Sequence, residues 1–229
     1  MHVSRLWRYP VKSLGGEELA EAQLTDDGVL GDRLVHVSTR YGPLTGRTRH
    51  SLLTIPARTG DDGEPLVDSL PWRSPAVAEL IRRHAGPQAV LRRYEGPERF
   101  DVLNLLVATD SAVAELGTDV RRLRPNLLLG GVPAGAERGW AGKALAIGDA
   151  LIGILNLRQR CIVTTIDPDT GAQDLSVLLR IRDRFATRIA LNCWVIRPGT
   201  IGVGDTVRLV ETSERPAHAG GWIVGAPYR

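Results

Sequence analysis

The chain has 229 residues, of which 43% are hydrophobic and 24% charged, so it can bury the core of one large domain or two modest ones. Its net charge of +3 is spread along the chain, which argues against a nucleic-acid partner because such proteins concentrate their basic residues on one face. The longest apolar stretch, 144–157, is shorter than a membrane span and contains Asp149. The amino terminus lacks a signal-peptide pattern, so we expect a cytoplasmic protein that binds neither nucleic acid nor a membrane.

The first part of the sequence predicts short strands separated by turns. Ser74 followed by Pro75 is typical of a helix start and Gly86 of a helix end, so a helix is expected at 75–84. The polar segment EGPER at 95–99 predicts a domain boundary. The strands, predicted from alternating or β-branched residues, are 2–9, 17–24, 33–38, 51–56, 64–68 and 88–94.

The second part of the sequence again predicts mainly strands. Short helices are expected at 110–116, capped by Thr109 or Asp110, and at 175–184. Many short strands and few helices favour a mostly-β, α+β fold built from barrels or sandwiches over a doubly wound sheet. The last residues, 213–229, are rich in Gly, Pro and Ala and predict a loosely held tail. The predicted strands are 102–108, 126–129, 144–147, 150–157, 161–166, 193–197 and 205–210.

Several well-known catalytic and nucleotide-binding motifs are absent from the sequence. There is no GxxxxGK[ST], HExxH, GxSxG or CxxC pattern. Gly199, Gly202 and Gly204 superficially resemble a dinucleotide-binding loop, but the residues that follow, TVRLV, predict a strand where that motif requires a helix. We therefore interpret these glycines as part of a turn.

The two cysteines, Cys161 and Cys193, stand in different local sequences. Cys161 follows Arg160 directly, and a neighbouring cation favours the thiolate, which is the soft ligand that transition metals prefer. The turn signal DPDTG at 167–171 places Cys161 at the opposite end of its predicted strand. A metal-binding or reactive thiol and a buried structural cysteine both fit these residues. Cys193, in ALNCWVI, is expected in the core, and in a reducing cytosol we expect no disulfide between the two.

A basic cluster, RRLRPNLLL at 121–129, contains a second candidate site. Arg124 precedes Pro125 and is therefore not expected to be helical, and Asn126 lies at the mouth of an apolar strand. The planar fork of an arginine suits phosphate. Phosphate recognition and a solvated basic edge are both consistent with this cluster.

These motifs occur in an order that is typical of one known family. RPNLLL, Trp140 with AIGD, RCIVTTIDPDTG and PGTIGVGDTVRL resemble MOSC domains. RYPVKSLGG, GDRLV and LTGR resemble the β-barrel domain that precedes MOSC in the mitochondrial amidoxime reducing component and its bacterial relatives. The resemblance covers residues 1–211. It implies an N-terminal MOSC-type β-barrel domain at 1–97, packed on a MOSC β-barrel domain at 98–212, with the tail at 213–229.

The resemblance also implies a site for a molybdenum cofactor, a molybdenum–pyranopterin. Cys161 corresponds to the cysteine that binds molybdenum directly, which makes it the expected catalytic residue. Gln159 and Trp194 depart from the family pattern, and these departures concern the shape of the substrate site. The residues implied to bind the rest of the cofactor are Lys12, Ser13, Arg33, Arg47, Asp101, Arg124, Asn126 and Arg160.

The activity implied by the resemblance is the reduction of small N-hydroxylated compounds. Electrons are expected from a separate flavin, iron–sulfur or haem protein, since only Cys193 follows Cys161 and no cysteine-held cluster can form there. Two alternatives remain open. The chain could be a non-catalytic carrier of the molybdenum cofactor, or a sulfur carrier with a persulfide on Cys161.

Overall fold

The computed structural model describes residues 1–94 and 99–217. Most of the predicted boundary at 95–99 and most of the predicted tail at 213–229 therefore lie outside the described residues. The first range contains one α-helix, α1 (Pro75–Ala85). Its strands are β1 (His2–Arg8), β2 (Glu17–Leu19), β3 (Glu21–Thr25), β4 (Gly28–Val29), β5 (Val35–Thr39), β6 (Gly42–Leu44), β7 (Ala57–Thr59), β8 (Pro65–Val67), β9 (Leu70–Pro71) and β10 (Val90–Arg93).

The second range contains two further α-helices, α2 (Asp110–Leu116) and α3 (Leu175–Phe185). The mostly-β, α+β class predicted from the sequence is confirmed for the described residues. The strands of this range are β11 (Leu105–Thr109), β12 (Leu127–Gly130), β13 (Lys143–Ile147), β14 (Ala150–Gln159), β15 (Arg188–Arg197), β16 (Gly199–Gly202) and β17 (Val207–Glu211).

The helix starts follow the predicted capping chemistry. The Ser74 hydroxyl accepts a hydrogen bond from the Val77 amide, and Pro75 occupies the first helical turn of α1. In the same way Thr109 caps α2 by accepting from the Ala112 amide. One predicted strand, 51–56, is wrong, because His50–Thr54 forms a 3-10 helix. Its apolar run is short, and hydrophobicity alone does not distinguish a strand from a buried helical turn at that length.

The largest sheet has eight strands in the order β17-β13-β14-β15-β11-β12-β1-β2. The β11–β12 pair is parallel and the other neighbours are antiparallel. Because β1 pairs with β12, the first strand of the chain lies in the same sheet as strands of the second half. The division of the chain at residue 97 stays a prediction.

The two ends of this sheet approach each other at one point. An isolated bridge joins His2 to Thr206, and the Val3 amide donates to the Asp205 carbonyl at 2.9 Å. The strand order of the described residues nevertheless ends at β17 and β2, so the two β-barrels stay a prediction. The remaining sheets have three strands each, in the orders β10-β5-β6, β16-β3-β4 and β7-β8-β9.

Three hydrophobic clusters form the core. One consists mainly of side chains of the large sheet, a second lies beneath α2 and α3, and a third packs α1 against β5 and its neighbours. The segment 160–187 leaves the sheet between β14 and β15, which are the two longest strands in the described parts of the chain. This segment carries Cys161 and borders a cleft between the two halves of the chain.

Candidate functional site

A cleft with an empty volume of about 830 Å³, measured to its open mouth, lies between the two halves of the chain. Its walls come from the turns after β1 and β6, from the segment that precedes β11, and from the end of β14. All nine residues singled out from the sequence line it. They are Lys12, Ser13, Arg33, Arg47, Asp101, Arg124, Asn126, Arg160 and Cys161.

Cys161 begins a 3-10 helix, Ile162–Thr165, so the strand predicted at 161–166 is wrong. Thr164 and Thr165 explain the difference, because their hydroxyls donate to the backbone carbonyls of Cys161 (2.9 Å) and Ile162 (2.7 Å). Such local hydrogen bonds compete with sheet pairing. The predicted turn at 167–171 is present, with the Gly171 amide donating to the Asp167 carbonyl. The thiol of Cys161 caps no backbone amide, is half-buried, and lies in the cleft wall.

Cys193 lies in the core, as the sequence predicts. It is fully buried on β15 among the residues of the large sheet, and burial raises its thiol pKa well above the usual range. Both cysteines are free thiols. The site therefore concerns Cys161 alone.

Asp101 is the meeting point of three cations on one side of the cleft. Its carboxylate lies 3.0 Å from Lys12 Nζ, 2.7 Å from Arg47 Nη2 and 3.3 Å from Arg158 Nη2. Burial alone raises the pKa of Asp101, but the three positive charges outweigh burial and hold it well below its usual range. Burial also lowers the pKa of Lys12, and the nearby Asp101 only partly offsets that effect. Residues of both halves of the chain thus share one carboxylate.

The ring of Tyr9 contacts two other arginines that line the cleft. The guanidinium carbons of Arg124 and Arg33 lie 4.3 and 5.1 Å from the centroid of its ring, within the range of cation–π contacts. Asp32 supports this arrangement, because its carboxylate accepts hydrogen bonds from the Tyr9 amide, the Arg33 guanidinium and the Asn126 amide group. Burial raises the pKa of Tyr9 to about 12. The tyrosine is therefore a neutral platform beneath two cations.

Three of the cleft residues have backbone conformations that are unusual for their type. Ser13, Arg33 and Arg124 have φ angles of 71°, 52° and 55°. The left-handed region costs a residue with a side chain about 1–2 kcal/mol. Strain of this kind concentrates at functional sites, where the surrounding structure maintains it.

Arg124 and Arg160 carry unused hydrogen-bonding capacity. The Nη2 atom of Arg124 and the Nε atom of Arg160 are buried and donate to none of the described residues. Arg160 uses another nitrogen, Nη2, to donate to the Leu123 carbonyl at 2.6 Å. Burial lowers the pKa of each guanidinium to about 10, so both remain charged at neutral pH. These donors are available to an anion in the cleft.

The side-chain amide of Asn126 hydrogen-bonds to other residues of the protein. Its Nδ2 atom donates to Asp32 (3.2 Å) and to the Trp7 carbonyl (3.4 Å), and its Oδ1 atom accepts from the Leu106 amide (3.2 Å). This residue therefore fixes the wall of the cleft at the start of β12, which lies between β1 and β11 in the sheet.

The polar or charged lining residues Arg99, Arg158 and Asn192 are among those that were not predicted as site residues. Arg158 donates to both Asp101 and Asn192, at 3.3 Å in each case. The alternation of Arg158 and Arg160 along an extended backbone was the available signal for Arg158. Asn192 gives no such signal, because only the pairing of β14 with β15 brings it to the cleft. Trp194 does not line this cleft.

The cleft is strongly positive. Among the described residues, its lining contains one carboxylate, that of Asp101, and seven cations. A multiply charged anion is the ligand such a lining favours, and the thiol of Cys161 adds a soft metal ligand to it. The cations are Lys12, Arg33, Arg47, Arg99, Arg124, Arg158 and Arg160.

Comparison with known proteins assigns the family. The MOSC domain model matches residues 103–208, and the model of the MOSC N-terminal beta barrel domain matches residues 1–90. The chain is therefore a MOSC-domain protein that also carries the MOSC N-terminal domain. Among helices of residues 1–94 and 99–217, none is long and apolar enough to cross a membrane.

Individual relatives are distant. The chain is 26% identical to mitochondrial amidoxime-reducing component 1 of Mus musculus, over 91% of this chain and 82% of the relative. The human protein of the same name is 25% identical with the same coverage. Among solved structures, the YuaD protein of Bacillus subtilis superposes with a TM-score of 0.53, at 12% identity, over 93% of this chain and 96% of that chain. This structural likeness concerns the fold alone.

Proposed function

We propose that the protein is a molybdenum cofactor-dependent reductase of N-hydroxylated compounds, supplied with electrons by a separate redox protein. The observation that carries this proposal is the half-buried thiol of Cys161 in the wall of a cleft lined by seven cations. The named relatives, which are amidoxime-reducing components, support the same class of reaction.

The residues of the cleft fit an anionic cofactor that carries a soft metal. The buried donors of Arg124 and Arg160 lack partners among the described residues, and a phosphate or another anionic group would satisfy them. The thiolate of Cys161 would hold molybdenum from the protein side. When bound, the cofactor supplies the two-electron redox chemistry.

The protein's own residues have distinct parts in this proposal. Arg124 and Arg160 bind negative charge, and Arg33 assists from the Tyr9 platform. The Asp101 cluster holds the two halves of the chain around the cofactor. A tyrosine is protonated at neutral pH, and burial raises the pKa of Tyr9 further, to about 12, so its ring adds no negative charge to the cleft.

The net reaction is R–NH–OH + 2 H⁺ + 2 e⁻ → R–NH₂ + H₂O. The N–O bond breaks, an N–H bond forms, and the oxygen leaves as water. The external redox protein is the source of both electrons, and solvent is the source of the protons.

A turnover assay tests the proposal. Cofactor-loaded protein, an artificial reductant and benzamidoxime are expected to yield benzamidine, and Cys161→Ala protein is expected to yield none. If fully loaded wild-type protein reduces no N-hydroxylated compound, the reductase proposal is wrong and the cofactor-carrier alternative replaces it. A persulfide on Cys161 in protein without molybdenum, detected as added mass, supports the sulfur-carrier alternative.

A further inference from the structure

A second cavity adjoins the cofactor cleft, and its empty volume, with the solvent at its open mouth included, is about 900 Å³. It lies between the β3–β4 turn, the segment before β11, β15 and residues 214–217. Phe100 and Leu103 line both spaces and so form the wall between them.

Strand β15 connects the cleft and the second cavity. Asn192 lines the cleft and Trp194 lines the second cavity, and side chains two residues apart on a strand point to the same face. Such a step spans about 7 Å. The second cavity and the cleft are therefore neighbours along this face of β15.

The inner wall of the second cavity is apolar and aromatic. Phe100 and Trp194 are nearly buried, at 6% and 8% exposure, and Leu103 completes the wall. The ring of Trp194 lies against Gly153 on the paired strand, where any added Cβ atom would collide with the ring. Glycine at this position thus leaves space for the indole.

The rim of the second cavity carries more negative than positive charge. Among the described residues of its lining, Asp26, Asp27 and Glu214 contribute carboxylates and Arg215 contributes a guanidinium. All three acids are exposed, but Asp27 pairs with Arg99 at 3.3 Å, whereas Asp26 and Glu214 form no ion pair with a described residue. An aromatic wall beneath an acidic rim favours an organic cation.

We propose that the second cavity binds the organic body of the substrate, an apolar or aromatic group that bears positive charge, while the N-hydroxyl group reaches the cofactor cleft beside Phe100 and Leu103. This inference rests on the proposed reductase function and names its substrate class.

Direct binding to the cofactor-loaded full chain tests the cavity without turnover. Benzamidine and benzoate have similar shapes and opposite charges, and isothermal titration is expected to show benzamidine binding at least about tenfold more tightly. Trp194→Ala is expected to weaken benzamidine binding by a further factor of about ten. Equal affinities for the two probes, or an unchanged affinity in a folded Trp194→Ala variant, would overturn the inference.

A charge variant tests the rim even if Trp194→Ala fails to fold. Asp26→Asn with Glu214→Gln is expected to reduce the preference for benzamidine about threefold or more. The matched control, Asp61→Asn with Glu211→Gln, removes two exposed acids away from the cavity and is expected to leave the preference unchanged. Equal effects of the two double variants would overturn the inference.

Kinetics separate this inference from the proposed function. We expect Asp26→Asn with Glu214→Gln to raise KM for a cationic amidoxime, with little change in kcat or molybdenum content. Turnover by the variant with an unchanged KM would overturn the cavity inference alone. Absence of turnover by loaded wild-type protein with every N-hydroxylated compound would instead reject the reductase function, and benzamidine titration would still report on the cavity.

Discussion

Two sets of cations in the cleft differ in their partners. Lys12, Arg47 and Arg158 share the carboxylate of Asp101. Arg124 and Arg160 instead retain buried donors without partners in the described residues. Arginine content alone therefore does not locate the binding site, because some of these cations already have an internal partner. The unpaired donors of the second set indicate where an external anion belongs.

Arg124 lies near a carboxylate but does not use it. Asp32 accepts from Arg33 and Asn126, whereas Arg124 contacts the ring of Tyr9. The aromatic ring thus holds a guanidinium in place without neutralising it. This comparison predicts two different effects of substitution. Variants of the Asp101 cluster are expected to lose stability, and variants of Arg124 or Arg160 are expected to lose cofactor retention.

The largest expected effect follows removal of the proposed metal ligand. Cys161→Ala is expected to abolish molybdenum retention and to leave thermal stability nearly unchanged, because this thiol is half-buried and fills no core space. Elemental analysis and thermal unfolding measure the two effects. Cys193→Ala is the control, with retained molybdenum and a cost of about 1 kcal/mol in unfolding free energy for the small core cavity. Full metal content in Cys161→Ala would contradict the assigned ligand.

Asp101→Asn removes the negative charge that Lys12, Arg47 and Arg158 share. Loss of the carboxylate leaves three neighbouring cations without their shared counter-ion, and we expect a loss of about 2–3 kcal/mol in the free energy of unfolding. Urea unfolding of the cofactor-free protein measures it. Asp183→Asn is the surface control, because its ion pair with Arg182 is more than half exposed and is worth below about 1 kcal/mol. Similar losses in both variants would refute the role of Asp101.

The same cluster predicts a pH dependence. The folded state lowers the pKa of Asp101, so its contribution is fully present above the unfolded pKa of about 4 and is lost as the pH falls toward the lower folded value. Unfolding measured between neutral pH and about pH 3 is expected to show a steeper loss in wild-type protein than in Asp101→Asn. Parallel pH profiles would show that Asp101 titrates normally.

Arg124→Ala removes one of the two arginines whose buried donors lack partners in the described residues. Removing its charge-assisted donors is expected to weaken cofactor retention by about 2 kcal/mol, or roughly thirtyfold, with little loss of stability. The matched control is Arg121→Ala in the same basic cluster, because Arg121 is already paired with Asp119 and Asp169 and does not line the cleft. Pterin content after dialysis measures retention. Equal losses for the two variants would remove the special role of Arg124.

Tyr9 gives the smallest expected effect. Tyr9→Leu removes the ring beneath two arginines and is expected to weaken cofactor retention up to about tenfold. Tyr9→Phe keeps the ring and is expected to retain the cofactor like wild-type protein. If the two variants behave alike, the hydroxyl or the packing of Tyr9 matters, and the platform role is wrong.

Local rules predict much of the fold. Ser74 with Pro75 and Thr109 cap helices as expected, because capping depends on adjacent residues alone. Short apolar runs are less informative. 3-10 helices at His50–Thr54 and Ile162–Thr165 stand where strands were expected at 51–56 and 161–166, since hydroxyl-to-carbonyl bonds and tertiary packing decide between the two conformations.

The site was harder to predict from local sequence than the fold was. Local sequence singled out Cys161, Arg160, Arg124 and Asn126. The family resemblance added Lys12, Ser13, Arg33, Arg47 and Asp101. Neither revealed that Asp101 bonds to residues of both halves of the chain, nor that Asn192 reaches the cleft from β15. Contacts between residues so distant in sequence are set by strand pairing and packing, which no local pattern contains.

The central claim is that Cys161 and the surrounding cations hold a molybdenum cofactor, and metal and pterin analysis of freshly purified wild-type protein tests it most directly. The protein should be produced in cells that make the cofactor, beside an established molybdenum enzyme as the loading control. We predict molybdenum and pterin in near-equal amounts, approaching one of each per chain. Protein free of both, from cells in which the control enzyme is loaded, would contradict the account.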